Sequence, residues 1–222
     1  MSSERRIRRL AFRFGRWNRR RKAAVAISIV EKTHSRSLLL VGVAAEPGIV
    51  NNLLEQTVAS KVDFTVATGL GTPTDGQWPH YVLANGLRLP FASKSFDMVV
   101  SNAVIEHVGD ATAQQLFMSE IDRVGRSWLV TTPNRWFPVE AHYHTLFSHW
   151  LPGWGPRGTV TRLLGRHSLA SISRGASIRG LPMLSPTLMA IKVAAAGSTD
   201  LVRHQARRES TKLGKSTSQE HG

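Results

Sequence analysis

Short apolar runs alternate with amphipathic stretches along the first two thirds of the chain. The apolar runs are five to eight residues long and predict buried strands at Ser37–Val43, Val62–Ala67, His80–Ala84, Ser95–Asn102 and Ser127–Thr132. Helical spacing predicts helices at Ala23–Lys32, Ile49–Ser60 and Ala111–Val124, the last with Leu116, Ile121 and Val124 on its apolar side. Strands that alternate with helices are typical of βαβ units. We therefore predict an α/β fold, with a mainly parallel central sheet and helices on both faces.

The pattern weakens after the fifth strand. Residues 133–158 are rich in Pro, Gly, His and Trp, which favours a lid or substrate loop beside the sheet. A further strand is predicted at Pro186–Val193, and the chain beyond it becomes polar and charged, as disordered tails are. We therefore divide the chain into a basic arm at 1–22, one domain at 23–196 and a basic tail at 197–222.

Positive charge is concentrated at the two ends of the chain. The net charge is +14; residues 1–22 hold ten Arg or Lys and one acid, and residues 203–222 hold five and two. The body between them carries a net charge of only +2, so the basicity says little about the core. The chain has no cysteine, which excludes disulfides and thiolate chemistry. No apolar run approaches the roughly 18 residues needed to cross a bilayer.

The arm at 1–22 has the pattern of a basic amphipathic helix. Apolar residues fall at helical spacing and Arg occupies the other faces; the apolar positions are Ile7, Leu10, Ala11, Phe14 and Trp17. Three interpretations stay open: an arm packed loosely on the domain, a helix on a membrane surface, and a grip on nucleic-acid phosphates. A signal peptide fits less well, because the apolar run Ala23–Val30 is short and lacks a small-residue cleavage site.

Polar residues follow the predicted fourth strand. In a parallel sheet, ligands bind outside the carboxyl ends of the strands, and the sequence puts Asn102, Ala103, Glu106 and His107 there. His107 could act as a general base near neutral pH, although a histidine that only orients its own turn is the interpretation we favour.

A second group of titratable residues lies in the expected lid loop. His142, Tyr143 and His144 are adjacent in sequence, but no third ligand is evident near them. A polar loop is therefore favoured over a metal site, and no metal is predicted.

Two stretches carry a family resemblance. NGLRLPFASKSFDMVVSNAVIEHVGD, residues 85–110, closely resembles the segment through the fourth strand of class I S-adenosylmethionine-dependent methyltransferases, in particular the small-molecule group called type 11. TTPNRWFPVEAHYH, residues 131–144, resembles the segment after the fifth strand in relatives with a TPN turn. The resemblance implies a Rossmann-like class I methyltransferase fold and S-adenosyl-L-methionine as cofactor.

The same resemblance implies roles for single residues. Asn102 and Ala103 would line the methionine part of the cofactor and the entrance for the methyl acceptor. The turn Asn85–Leu87 would lie beside the adenine, where the family usually has an acid. Asp97, at the base of the fourth strand, would brace the sheet.

Two segments depart from the family's pattern. After the first strand the family has an acid and then Gly-x-Gly-x-Gly, whereas here Leu40 replaces the acid, and Ala44 and Glu46 replace the later glycines. Glu46 could pair with the cofactor's ammonium or block the site. The ribose-binding acid after the second strand is missing, and the nearest substitute, Thr68, offers one hydroxyl instead of a carboxylate. The expected cofactor-binding set is Gly42, Ala44, Glu46, Thr68, Asn85, Gly86, Leu87, Asn102 and Ala103.

The function we expect is methyl transfer from S-adenosylmethionine to a small molecule, such as a sugar, a lipid-linked glycan or a secondary metabolite. The altered cofactor segments leave open a catalytically degenerate protein that keeps the fold for binding or scaffolding. The Arg-rich arm suggests a third alternative, a nucleic-acid methyltransferase, but SNAVIEH stands where base-modifying relatives carry an Asn-Pro-Pro-aromatic motif. We expect a cytoplasmic location, with residues 5–22 as the candidate for peripheral contact at the inner membrane surface.

Overall fold

The computed structural model describes residues 2–44, 52–73, 76–138 and 161–195, with the side chains of the first helix described from Gly15 onward. The elements in chain order are α1 (Ser2–Thr33), β1 (Ser37–Val41), α2 (Leu53–Ala59), β2 (Phe64–Gly69), β3 (Tyr81–Leu83), β4 (Phe96–Asn102), a 3-10 helix (Ile105–His107), α3 (Ala111–Val124), β5 (Gly125–Pro133), α4 (Arg166–Ile172), β6 (Ser177–Arg179) and β7 (Thr187–Lys192).

The seven strands form one sheet in the order β3-β2-β1-β4-β5-β7-β6. Strands β1 to β5 are parallel, and β7 and β6 complete the sheet as an antiparallel pair. Val41 pairs with Thr68 on one side and Ser101 on the other, so the carboxyl ends of three strands meet at one edge. Strand order reverses between β1 and β4, which is the position where open α/β sheets bind ligands. The predicted fold class is confirmed.

Helices cover both faces of the sheet because successive residues of the buried strands point to opposite sides. Leu38 and Leu40 of β1 pack with α1 and α2. Leu39 and Val41 pack with α3 and α4. These two hydrophobic layers explain why β1, β4 and β5 read as continuous apolar runs in the sequence.

Helix α1 runs antiparallel to the strands. Its last turn adjoins the start of β1, where Ser35 N donates to Val30 O (3.0 Å). Its buried face, Ala23, Ala26, Ile29 and Val30, lies on the sheet. Because this helix is continuous over 32 residues, it is about 48 Å long, and its N-terminal half continues past the carboxyl edge of the sheet.

Hydrogen bonds join the LPF segment, residues 89–91, to α3. Arg123 of α3 donates to Phe91 O (2.7 Å) and Leu89 O (2.9 Å), while Glu120 accepts from Leu89 N (2.7 Å). At the start of β4, Asp97 accepts from the backbone of Arg36 and Ser37 at 3.0 and 3.2 Å. Asp97 therefore ties β4 to β1, in line with the bracing role expected for it.

The differences from the predicted elements have local causes. Leu116 was expected on the apolar side of α3 but is exposed, because the buried face runs through Gln114, Phe117, Met118, Ile121 and Val124. The short elements α4 and β6 were not predicted. The expected lid at 133–158 is described only to residue 138, and His142, His144 and the tail at 197–222 lie outside the described residues.

Candidate functional site

The structure brings most of the predicted site residues to the carboxyl edge of the sheet. Gly42 and Ala44 follow β1, Thr68 lies near the end of β2, and Asn102 ends β4. The turn Asn85–Leu87 follows β3 at the same edge. Glu46 lies outside the described residues. Four adjacent strands, β3-β2-β1-β4, therefore present these residues side by side.

Asn102 is the centre of a polar network at this edge. Its Oδ1 accepts from Lys22 Nζ (2.5 Å) and from Thr131 Oγ1 (2.8 Å). Its Nδ2 donates to Glu55 Oε1 (2.9 Å). The side chain is therefore fixed by α1, α2 and β5 together, and its carbonyl oxygen is fully used within the protein.

Burial makes the two charged members of this network unusual. Burial lowers the pKa of Lys22 from 10.5 to about 8, and the nearby Glu55 carboxylate opposes this shift. Burial likewise raises the pKa of Glu55, against the hydrogen bonds from its own backbone and from Asn102. Oε2 of Glu55 is buried without a hydrogen-bond partner among the described residues. A buried carboxylate oxygen in that state is suited to accept a hydrogen bond from a ligand.

Glu106 and His107 lie next to each other on the 3-10 helix but in different surroundings. Glu106 is fully buried and accepts from Thr132 Oγ1 (3.1 Å). Its charge also acts on Lys22. His107 is exposed, and its Nδ1 lies 3.5 Å from Thr161 Oγ1. Glu106 is therefore buried close enough to Lys22 to act on its charge, whereas His107 borders the solvent.

The backbone at the end of β4 is strained. Ala103 has φ +57°, and its amide donates to Thr131 O (2.9 Å). A left-handed non-glycine residue costs of order 1–3 kcal/mol and is often found at ligand sites. Gly42 also has a positive φ, +81°, and a Cβ there would lie 2.5 Å from Val104. Glycine at 42 is thus required by the approach of the turn after β4.

The residues expected near the ribose and adenine form hydrogen bonds and packing contacts within the protein. Thr68 is buried, and its hydroxyl donates to Leu40 O (3.2 Å). Asn85 closes its own turn by accepting from Leu87 N (2.9 Å). Gly86 packs on α3, where a Cβ would lie 2.6 Å from Phe117. These contacts fix the backbone at the carboxyl edge of β2 and β3, and a ligand role for these residues stays a prediction.

The residues that sequence reasoning missed are the three partners of Asn102, namely Lys22, Glu55 and Thr131. A signal for two of them was present. Lys22 stands at i, i+4 and i+7 with Ala26 and Ile29, so it shares the buried face of α1. Glu55 directly follows the buried Leu54. A charged residue on a buried face indicates a partner or a ligand.

Two kinds of site are not found in the part of the chain that the structure describes. No group of three or more His, Asp or Glu residues there could hold a metal ion. None of the helices described is both long and apolar enough to span a bilayer.

Known proteins resemble this chain in sequence over one segment and in fold over most of its length. Residues 42–127 match the model of a methyltransferase domain. A solved S-adenosylmethionine-dependent methyltransferase from Methanosarcina mazei is similar, with 14% identity and a TM-score of 0.52 over 75% of this chain and 97% of that one. No curated protein matches the chain significantly.

The N-methyltransferase NodS from Bradyrhizobium japonicum is similar too, with 12% identity and a TM-score of 0.52 over 78% of this chain and 94% of that one. A second structure of NodS, in complex with S-adenosyl-L-homocysteine, has a TM-score of 0.51 over 78% and 85% of the two chains, again at 12% identity. Residues 42–127 are therefore similar to a methyltransferase domain, and the chain has the fold of the class I S-adenosylmethionine-dependent methyltransferases.

Proposed function

We propose that this protein transfers a methyl group from S-adenosylmethionine to a small molecule with a hydroxyl or amine acceptor. A sugar, a lipid-linked glycan or a secondary metabolite would meet this description. The observation that carries the proposal is the buried pair of Lys22 and Glu55 on either side of Asn102, at the carboxyl edge of a methyltransferase domain.

The charges of this pair complement a free amino acid. The methionine end of the cofactor carries a carboxylate and an ammonium group. The Lys22 ammonium can bind the carboxylate, and Oε2 of Glu55 can accept from the ammonium. Asn102 stands between them and keeps both side chains in place. The donor set therefore fits the amino-acid end of S-adenosylmethionine.

The nucleoside end has fewer charged contacts. The hydroxyl of Thr68 already donates to the Leu40 carbonyl, so only its lone pairs could meet a ribose hydroxyl. Losing a charge-assisted bond at the ribose would weaken binding by roughly 1.5–3 kcal/mol, or about one to two decades in affinity. We therefore expect the amino-acid end to contribute a larger share of the affinity than in relatives with a ribose-binding acid.

When bound, the cofactor supplies an electrophilic methyl group on its sulfonium. The residues of this chain need to position the reactants more than to move protons. The network around Asn102 fixes the methionine end, and the strained turn at Ala103 shapes the acceptor entrance. His107, exposed beside it, would take the proton of a hydroxyl acceptor.

A second candidate function is supported by the same departures in sequence. A degenerate protein would keep the fold for binding or scaffolding and would not transfer methyl groups. The hydrogen bond from Thr68 to Leu40 O favours this alternative, because it leaves the Thr68 hydroxyl no proton to donate to a ribose where the family has an acid. A nucleic-acid methyltransferase receives no support from the described site.

Isothermal titration calorimetry separates these alternatives. We expect the full chain to bind S-adenosylmethionine and S-adenosylhomocysteine. Lys22→Met should weaken both by about ten- to a hundredfold, since it removes a charge-assisted contact. The matched control Lys61→Met changes an exposed lysine on another part of the surface and should bind as the wild type does.

5′-Methylthioadenosine provides an internal reference, because it lacks the amino-acid end. Its affinity should be the same for the wild type and for Lys22→Met, which also shows that the variant is folded. A folded wild-type protein that binds neither cofactor form would exclude methyl transfer and favour the degenerate alternative. If Lys22→Met lost affinity for 5′-methylthioadenosine to the same degree, the assignment of Lys22 to the amino-acid end would be wrong.

A further inference from the structure

An exposed apolar loop joins β6 to β7. Leu181, Met183 and Leu184 are 59%, 54% and 75% exposed, and only Pro182 interrupts them. Large apolar side chains occur singly on most protein surfaces, but several together mark an interaction site. We refer to residues 181–184 as the apolar loop.

The apolar loop is rigidly held. Asn134 Nδ2 donates to Leu181 O (3.2 Å) and Ser185 O (2.8 Å). Leu181 N donates to Ser185 Oγ (2.9 Å), and Ser185 N donates back to Leu181 O (3.1 Å). Met183 has φ +60°, a conformation that a side-chain-bearing residue keeps only when its surroundings enforce it. The protein therefore holds these apolar side chains outward on a fixed turn.

A basic helix lies beside this loop. Asn18 of α1 donates to Thr187 Oγ1 (2.9 Å), at the first residue of β7. On the adjoining turns, Arg16 and Arg20 are exposed, and Trp17 is 53% exposed. Arg21 stacks on the Trp17 ring with its guanidinium carbon 5.9 Å from the ring centroid. The sequence before this point adds the remaining arginines of the +9 arm.

Both features lie at the carboxyl edge of the sheet, where the proposed cofactor site is. Thr187 pairs with Pro133, the last residue of β5, so the apolar loop stands at the carboxyl edge. Lys22, one turn after Asn18, reaches Asn102 at the same edge. The apolar loop, the basic half of α1 and the proposed cofactor site therefore share one side of the molecule.

We propose that the apolar loop and the N-terminal half of α1 form a docking surface for an anionic lipid bilayer. Arg16 and Arg20 contact the charged headgroups. Leu181, Met183 and Leu184 enter the boundary between the headgroups and the hydrocarbon. Nucleic acid would satisfy the arginines but would leave three aliphatic side chains in water, so the combination favours lipid. The docked orientation turns the mouth of the cleft toward the headgroups. An acceptor carried by a lipid then follows, a point that rests on the proposed methyl transfer.

Sedimentation of the full chain with vesicles tests the docking surface. We expect it to sediment with vesicles of phosphatidylcholine and phosphatidylglycerol and to stay in solution with phosphatidylcholine alone. The triple variant Leu181→Ser, Met183→Ser, Leu184→Ser should lose about tenfold or more in affinity for the mixed vesicles. The double variant Arg16→Glu, Arg20→Glu should lose roughly twentyfold or more.

Matched controls change the same chemistry elsewhere. The double variant Leu116→Ser, Val193→Ser removes exposed apolar side chains from α3 and from the end of β7 at the opposite edge of the sheet. The double variant Lys32→Glu, Lys61→Glu changes the net charge by the same amount as the arginine reversals, at exposed positions. Both controls should sediment like the wild type.

Three results would overturn the proposal. The wild type could fail to sediment with the mixed vesicles, or the serine triple variant could sediment equally well. A structured RNA at equal phosphate concentration could also displace the protein fully, which would assign the arm to nucleic acid. Because the assay contains no cofactor, and cofactor binding is measured without vesicles, docking and methyl transfer can fail independently.

Discussion

Ala103 occupies a left-handed backbone conformation at the point where β4 meets the candidate cleft (φ +57°). Left-handed geometry brings a Cβ close to the following carbonyl, which costs about 1–2 kcal/mol, whereas glycine adopts it without that cost. We predict that Ala103→Gly raises the free energy of unfolding by about 1 kcal/mol, measured by urea denaturation.

The control for this prediction is Ala170→Gly. Ala170 is exposed in α4, where glycine should lower the free energy of unfolding by roughly 0.5–1 kcal/mol. If Ala103→Gly destabilised the protein as Ala170→Gly does, the strain at the end of β4 would not be real.

Lys22 should make stability depend on pH in the alkaline range. Its pKa is lowered to about 8 in the folded protein, mainly by burial, so the unfolded chain binds more protons between about pH 8 and its usual value near 10.5. The cost of burying the charge is fully present below pH 8 and is relieved as the pH rises. The free energy of unfolding of the wild type should therefore rise relative to Lys22→Met by about 3 kcal/mol across this window.

Urea denaturation of both proteins near neutral pH and near pH 10 measures this difference. Comparing the two proteins cancels the titration of the other lysines. A constant difference across the window would show that Lys22 titrates normally and is not buried as described.

At the scale of elements, the LPF segment and α3 form one unit through Arg123. Its guanidinium donates to two backbone carbonyls and to Glu120, and the Glu120 hydrogen bond raises the pKa of Arg123. We predict that Arg123→Met lowers the free energy of unfolding by about 1.5–3 kcal/mol, because it leaves charge-assisted hydrogen bonds unmade. Chemical denaturation measures the effect, and Arg88→Met, at an exposed position, should change it by less than about 0.5 kcal/mol. Equal values for the two variants would contradict this bracing.

The elements that are easiest to predict from sequence are those in which burial imposes a clear hydrophobic pattern. Strands β1, β4 and β5 were found because their apolar residues face a protein layer on each side, and α3 because an apolar stripe packs on the sheet. Strand β3 was found from its short apolar run, although none of its residues is buried. Strand β6 was missed, since its three residues Ser177, Ile178 and Arg179 are mostly exposed and carry no apolar run. Helix α4 was missed because Leu169 is its only fully buried residue. Short elements at the edge of a sheet are held by hydrogen bonds, and the hydrophobic pattern of the sequence carries no signal of those bonds.

At the scale of the whole molecule, the sequence predicted which edge of the sheet the candidate residues share, but not the polar network that joins them. The order of strands and the segment at residues 85–110 place Asn102 and Gly42 at one edge. Lys22 was assigned to a separate arm, because its charge resembles that of the arginines before it. The structure shows instead a single helix that runs through residue 22, so the last charge of the arm is buried and contacts Asn102 at the carboxyl edge of the sheet. Contacts between residues 80 positions apart cannot be read from local spacing.

Docking through both the apolar loop and α1 predicts a different pattern of hydrogen exchange from adsorption through the arginine arm alone. If the carboxyl edge faces the bilayer, hydrogen exchange with anionic vesicles present should slow at the amides of residues 181–185 and in the N-terminal half of α1. Amides at the opposite edge, such as those of residues 61–63 before β2 and residues 92–95 before β4, should exchange at unchanged rates. Adsorption through the arginine arm alone would slow exchange in α1 and leave the apolar loop unaffected. Mass spectrometry of peptic fragments distinguishes the two patterns, and the second would limit the membrane contact to the arm.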